Sequence, residues 1–213
     1  KESKMLLTLK QYQRVYKVIH SIVEHLGKDP AAACIYFSAF GAYILKKHFQ
    51  INAEIKSGYA AYQVGNNGKV ICFGELDEEG QFSESSASFH CWIEAEGWLI
   101  DFMAPNFSRM HEKTEAKGNR TLPSYMLQKP LSEMSSSIGQ LHKTGDFYLE
   151  VELNSAPERF SDLRDQRNEY FAELCVDWYV KPPKKMLKQL KIIDEKGREM
   201  SIELRGSKVT GKW

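Results

Sequence analysis

Between Leu9 and Leu26 the apolar residues Tyr12, Val15, Val18, Ile22 and Leu26 recur at helical spacing, and Gly27 then supplies a stop. This predicts an amphipathic first helix. Asp29-Pro30 follows as an N-cap and a proline at a first helical position, predicting a second helix from about Pro30 to Phe49. That segment is apolar on nearly every face until Lys46-Lys47, the pattern of a central helix enclosed by other elements. From Ile51 the period drops to two. Ala53 to Lys56 alternates, Tyr59 to Val64 continues the strand, Asn66-Asn67-Gly68 is a hairpin turn signal, and Lys69 to Leu76 returns.

After an acidic, serine-bearing loop from Asp77 to Ser86, "SFHCWIEAEGWLID" reads as a second hairpin turning at Gly97. Met103 to Gly145 has little periodicity and contains Pro105, Gly118, Pro123, Pro130 and Gly139. It is expected to be a long excursion with one short helix, and excursions of that length often carry function. Phe147 to Leu153 predicts a strand and Pro157 to Trp178 a charged helix, which Pro182-Pro183 ends. Leu190 to Ile193 and Met200 to Leu204 predict a closing hairpin through Glu195-Lys196-Gly197. Helices, then a meandering antiparallel sheet, then a helix and a hairpin make an α+β plan. With no repeat or linker in sight, residues 1–213 are expected to form a single domain, its core at about 30–105 and a strand–helix–hairpin elaboration at 145–213.

Composition narrows the function more than the fold. With 42% hydrophobic and 27% charged residues the chain has the make-up of an ordinary globular protein. A net charge of +1 argues against a nucleic-acid or anionic-membrane partner. From Lys181 onward 10 Lys and Arg stand against 4 Asp and Glu, but with few aromatics among them the segment reads as a solvated face. The longest apolar run, Ala31 to Leu45, is too short to span a bilayer. The four cysteines form no CxxC pair and no HExxH is present. These features predict a cytoplasmic protein with no metal and no cofactor.

The candidate chemistry lies in the central helix and the second hairpin. Cys34 falls in or just after the first helical turn, where the positive end of the helix dipole favours a thiolate. A packed core cysteine fits that position equally well. In the hairpin, a two-residue turn at Glu96-Gly97 would oppose Asp101 to Trp92 and make His90 its diagonal neighbour. A four-residue loop over 94–97 would oppose His90 and Asp101 directly, and a three-residue loop would put them on opposite faces. If they meet, they supply what a thiol nucleophile needs: an imidazole to share its proton and a carboxylate to orient the imidazole. Trp92 and Tyr59 are candidate substrate-binding residues, although hairpin aromatics more often pack a core. Gln11, Tyr12, Gln13 and Tyr16 are candidates by sequence proximity for an oxyanion-binding side chain.

"ACIYFSAFGAYILKKHFQINAEIKSGYAAY" resembles the nucleophile segment of the transglutaminase-like branch of the papain-like cysteine proteinase superfamily. "HCWIEAEGWLIDFMAP" resembles its next two blocks, a histidine before Trp-x-Glu and then Trp-x-x-Asp before a proline. The likeness covers roughly Pro30 to Pro105. It implies a Cys-bearing helix packed on an antiparallel sheet, with Cys34 as nucleophile, His90 as general base and acid, and Asp101 as the orienting carboxylate. It also suggests an uncharacterised bacterial family of that fold. The implied activity is that of a thiol-dependent hydrolase or acyltransferase on a peptide, protein, isopeptide or small amide substrate. The alternative is a non-catalytic binding module that keeps the fold.

Overall fold

The computed structural model describes residues 5–65, 69–83, 88–114, 122–153, 160–181, 185–194 and 196–213, without the side chains of 111–114 and 162. The turn signal at Asn66-Asn67-Gly68, Ser86, Gly118, Pro157, Pro182-Pro183 and Glu195 lie outside them.

Helix α1 (Leu9–His25) begins at Thr8, whose side chain accepts the Gln11 amide while the Gln11 side chain returns a bond to the Thr8 backbone. This reciprocal cap occupies Gln11 and removes it from the oxyanion candidates. Leu26 closes the helix, and Gly27 takes the left-handed φ of 71° that the chain needs to leave it.

Helix α2 (Cys34–Lys47) starts four residues later than its sequence pattern suggests. Asp29 does not cap it. Its carboxylate and carbonyl bind the amides of Ala31 and Ala32, closing a separate turn ahead of the helix. Cys34 is therefore the first helical residue, with Ala33 before it offering no side-chain cap. As the hydrophobicity on every face requires, α2 packs against α1, strands β1 (Ala53–Gln63) and β3 (His90–Ala95), and α4 (Gln166–Val180). Gly41 makes the sheet contact possible, since a Cβ there would lie 2.4 Å from the Phe102 ring.

The sheet has the order β2-β1-β3-β4-β5-β9, and β6 also pairs with β1. The remaining strands are β2 (Val70–Phe73), β4 (Trp98–Asp101), β5 (Tyr125–Pro130), β6 (Phe147–Val151) and β9 (Gly211–Lys212). All these pairs are antiparallel except β5 with β9. A detached hairpin, β7 (Gln189–Ile193) with β8 (Glu199–Glu203), forms at the expected place. The result is a mixed α+β structure with a mostly antiparallel sheet, and no helix among the described residues is long and apolar enough to cross a membrane.

The long strand β1 organises the site. Gly58 pairs with both His90 of β3 and Val151 of β6, and Ala60 with both Phe73 of β2 and Leu149 of β6. β6 therefore runs along one flank, while β3 and β2 follow one another along the other. His90 and Phe73 occupy places two residues apart on that shared flank, so their side chains emerge on the same face. Gly58 is needed at this crossing because a Cβ would stand 2.0 Å from the Glu150 carbonyl oxygen.

The span 103–145 departs from expectation. It contains a one-turn helix (Ala104–Asn106), α3 (Phe107–Thr114) and strand β5, which extends the sheet beyond β4 and carries β9. Met126, Leu127 and Gln128 are all buried, so β5 shows no polar–apolar alternation, and its proline stands at its last position. Helix α4 begins at an Asp165 cap, whose side chain accepts the Arg167 amide.

Candidate active site

The β3–β4 turn decides the geometry of the hairpin. Glu96 and Gly97 both take positive φ, 50° and 80°, as a two-residue turn matched to strand twist demands. The register follows, with Ile93 opposite Ile100. Asp101 is then diagonal to His90 on one face, and His90 Nε2 lies 2.6 Å from Asp101 Oδ2. The other carboxylate oxygen accepts the Met103 amide at 2.8 Å, so Asp101 is held at both oxygens. Tyr12 fixes the same corner from α1. Its hydroxyl donates to the Asp101 carbonyl and accepts the Leu127 amide at 3.4 Å, which places Tyr12 behind the carboxylate rather than at an oxyanion position. The hydroxyl of Tyr16, another of those candidates, is engaged elsewhere, with Asn106 and Ser207.

Cys34 meets this pair from the start of α2. Cys91, through its thiol and its backbone N–H, and the His90 ring are the neighbours that act on the Cys34 thiol. The ring nitrogen left for that contact is Nδ1, which has no close hydrogen-bond partner of its own. Cys91, adjacent to the histidine in the sequence, is a site residue that motif reading overlooked; its place beside His90 was the available signal.

All three groups lie inside the protein, with Cys34 8%, His90 0% and Asp101 1% exposed. Burial sharpens every charge interaction there. The hydrogen bonds from Cys91, together with the neighbouring imidazole, pull the Cys34 thiol well below the usual thiol range despite its desolvation. Burial disfavours a charged His90, but the Asp101 carboxylate and the Cys34 thiolate outweigh it and hold the imidazole at about 9. A lowered thiol beside a raised imidazole favours proton transfer from sulfur to the ring, toward a thiolate–imidazolium pair.

Aromatic rings enclose the imidazole. Phe73 stacks on it with centroids 4.1 Å apart and planes 24° apart, Tyr62 meets it edge-on at 5.8 Å, and Trp92 lies 6.5 Å away. Trp92 is fully buried and donates its indole N–H to Glu94, so it supports the site without lining an accessible groove. Tyr59 is not part of the site. It faces the other side of β1, where it packs with Ala61, Phe82 and Leu141. The sequence missed Phe73 and Tyr62 because only the pairing of β1 with β2 and β3 brings them to His90. Among the described residues no cluster of His, Cys, Asp and Glu could hold a metal ion.

Residues 8–213 match a family described as a protein of unknown function, DUF2026. The chain belongs to this family. A crystal structure of a genomics target, 37% identical to this chain, superposes with a TM-score of 0.85 over 99% of this chain and 98% of its own. No curated protein matches the sequence.

Proposed function

We propose that this DUF2026 member is a thiol-dependent hydrolase or acyltransferase of papain-like, transglutaminase-like architecture, acting through Cys34, His90 and Asp101. The observation that supports the reading is the 2.6 Å contact between His90 and Asp101, with the Cys34 thiol electrostatically coupled to the same imidazole. Structural packing alone does not require three ionisable groups to converge in a dry interior, where unpaired charge is costly.

The chemistry follows from the arrangement. The Cys34 thiolate attacks the carbonyl carbon of an amide, peptide or isopeptide, and the carbonyl π electrons move onto oxygen. The Cys34 backbone N–H, at the first helical position and without an intrahelical acceptor, suits that oxygen. As the tetrahedral intermediate collapses, the His90 imidazolium gives its proton to the departing amine and a thioester remains on Cys34. Neutral His90 then takes a proton from water or an amine acceptor, which attacks the thioester and regenerates the thiolate. Asp101 keeps the imidazole oriented and stabilises its charged form throughout.

The test is incubation with an activated acyl ester such as p-nitrophenyl acetate, followed by intact-mass and peptide mass spectrometry. The expected result is a burst of nitrophenol, with one acetyl group on Cys34 that disappears on standing. Cys34→Ala should show no adduct and His90→Ala no burst. An adduct scattered over lysines, or a Cys34 inert at neutral pH even after Phe73→Ala uncovers the imidazole, would overturn the proposal.

A further inference from the structure

A second polar cavity, of about 280 Å³, lies between α1, the start of α3 and the strap that follows β8, separate from the Cys34 site. Its walls include Tyr16, His20, Glu24, Arg109, Arg205 and Ser207. The strap is held firmly against α1. The Arg205 amide donates to Ser21 Oγ at 2.7 Å, Ser207 Oγ lies 3.1 Å from the Tyr16 hydroxyl, and Ser124 Oγ lies 2.6 Å from Ser207 Oγ. Gly206 makes this approach possible. Its φ is 100°, and a Cβ there would crowd Tyr16 at 3.1 Å and His20 at 3.3 Å.

The charges in this cavity do not satisfy one another. Arg109 and Arg205 approach Glu24 only to 3.8 and 3.6 Å, longer than hydrogen bonds, and Arg205 reaches Glu203 at 3.6 Å. Glu24 Oε2 and His20 Nδ1 are buried and without a hydrogen-bond partner, 4.0 Å from each other, although the His20 side chain is only 4% exposed. Polar atoms of that kind on the wall of a polar cavity are free to hydrogen-bond with whatever enters it. Arg109 and Arg205, with Lys17 whose charge also bears on His20, stand against Glu24 and Glu203 and leave a surplus of one positive charge, while Glu24 Oε2, and His20 Nδ1 when the ring proton sits on Nε2, can accept from a hydroxyl. Burial, against the pull of Glu24, holds His20 near 4, so the imidazole is neutral at physiological pH and adds no charge to the balance.

We infer that this cavity is a binding site for a phosphate group, either free or as a small phosphate monoester. The phosphate oxygens take Arg109 and Arg205 through charge-assisted bonds. A phosphate with a second pKa near 6 retains one hydroxyl on part of its population at neutral pH, and this donates to Glu24 or His20. A carboxylate has no such hydroxyl when ionised and meets the arginines alone. The volume is at the small end for ligand sites, typically ~300–1,000 Å³, which suits a compact headgroup.

The experiment is a titration of the whole protein with inorganic phosphate, phenyl phosphate and acetate, following arginine Nε–H and histidine ring signals by NMR. Saturable shifts of Arg109, Arg205 and His20 with phosphate, and weaker or absent ones with acetate, are the expected result. Arg109→Gln and Arg205→Gln are surface changes that leave the fold intact, verified by circular dichroism, and each should weaken binding about tenfold. Tighter binding of phenyl phosphate would identify the monoester as the ligand type, and equal binding the free ion. Absence of saturable shifts, or binding that both arginine variants leave unchanged, would overturn the assignment.

Discussion

Replacing Asp101 with asparagine isolates what the carboxylate does for His90. The amide oxygen can still accept the Met103 N–H that Asp101 Oδ1 accepts at 2.8 Å, so the corner keeps its shape. The amide NH₂ then faces His90 Nε2, across the 2.6 Å contact the carboxylate makes. A donor there needs an acceptor, which drives the ring proton onto Nδ1, the nitrogen that should receive the thiol proton. The electrostatic loss adds to this change of tautomer. The imidazole stands at about 9 in a wholly buried position, against 6.5 for an ordinary histidine. That elevation corresponds to about 3 kcal/mol of preference for the charged ring. Without the carboxylate only Cys34 is left to oppose burial, and His90 should titrate well below about 9. Imidazole ¹⁵N NMR between about pH 5 and pH 10 reads this directly, and alkylation of Cys34 by iodoacetamide gives a second view. The alkylation rate at neutral pH should fall by roughly two orders of magnitude, the kinetic counterpart of the lost ion pair. Thermal stability should change little in comparison. If His90 still titrates near 9 in the variant, the carboxylate is not what charges the imidazole, and the triad argument fails.

Three further outcomes follow from the same geometry. Phe73→Ala should uncover the His90 ring and speed Cys34 alkylation, while costing about 3 kcal/mol of stability through the cavity left behind, measured by urea unfolding. The raised His90 contributes stability that is full below about pH 6.5 and lost as pH rises through about 9. The lowered Cys34 contributes stability present above the ordinary thiol range and lost as pH falls. The two nearly cancel between about pH 6.5 and 8.5, so wild-type stability should be flat there, whereas Cys34→Ala should lose stability with rising pH; parallel slopes in the two proteins would contradict the ion pair. Tyr12→Phe removes the hydroxyl that joins α1 to the Asp101 carbonyl and the Leu127 amide, and should lower stability by about 1–2 kcal/mol in a thermal melt with Cys34 still present at its site.

The readable and unreadable parts of the sequence divide along physical lines. Helix α1, strand β1 and the hairpin strands were legible because each is fixed by local periodicity or turn chemistry, whereas the face shared by His90 and Asp101 depended on a loop length that Glu96-Gly97 left open. The start of α2 was not, because Asp29 accepts the Ala31 and Ala32 amides in a turn of its own instead of capping the helix. Strand β5 was hidden by its burial on both sides, and β9 by its length of two residues. Within the site, Cys91 was close in sequence but unremarkable. Phe73 and Tyr62 belong to it only through strand pairing, which no single-sequence periodicity reports. Tyr59, next to Gly58, was assigned to the site but falls on the opposite face by the parity of a single residue.

Strand β1 is braced twice over residues 60–62, by β6 on one flank and by the four-residue β2 on the other. The ring that roofs the imidazole hangs from the shorter brace, while the imidazole itself belongs to β3. Cover and frame thus rest on different strands: loosening β2 would break only a short ladder at the sheet margin, while β1 keeps its pairing with β6 and β3 and β4 keep the histidine on its carboxylate. Enclosing a group and holding it rigidly are usually in tension, and this division of one strand's two sides lets His90 be both covered and fixed.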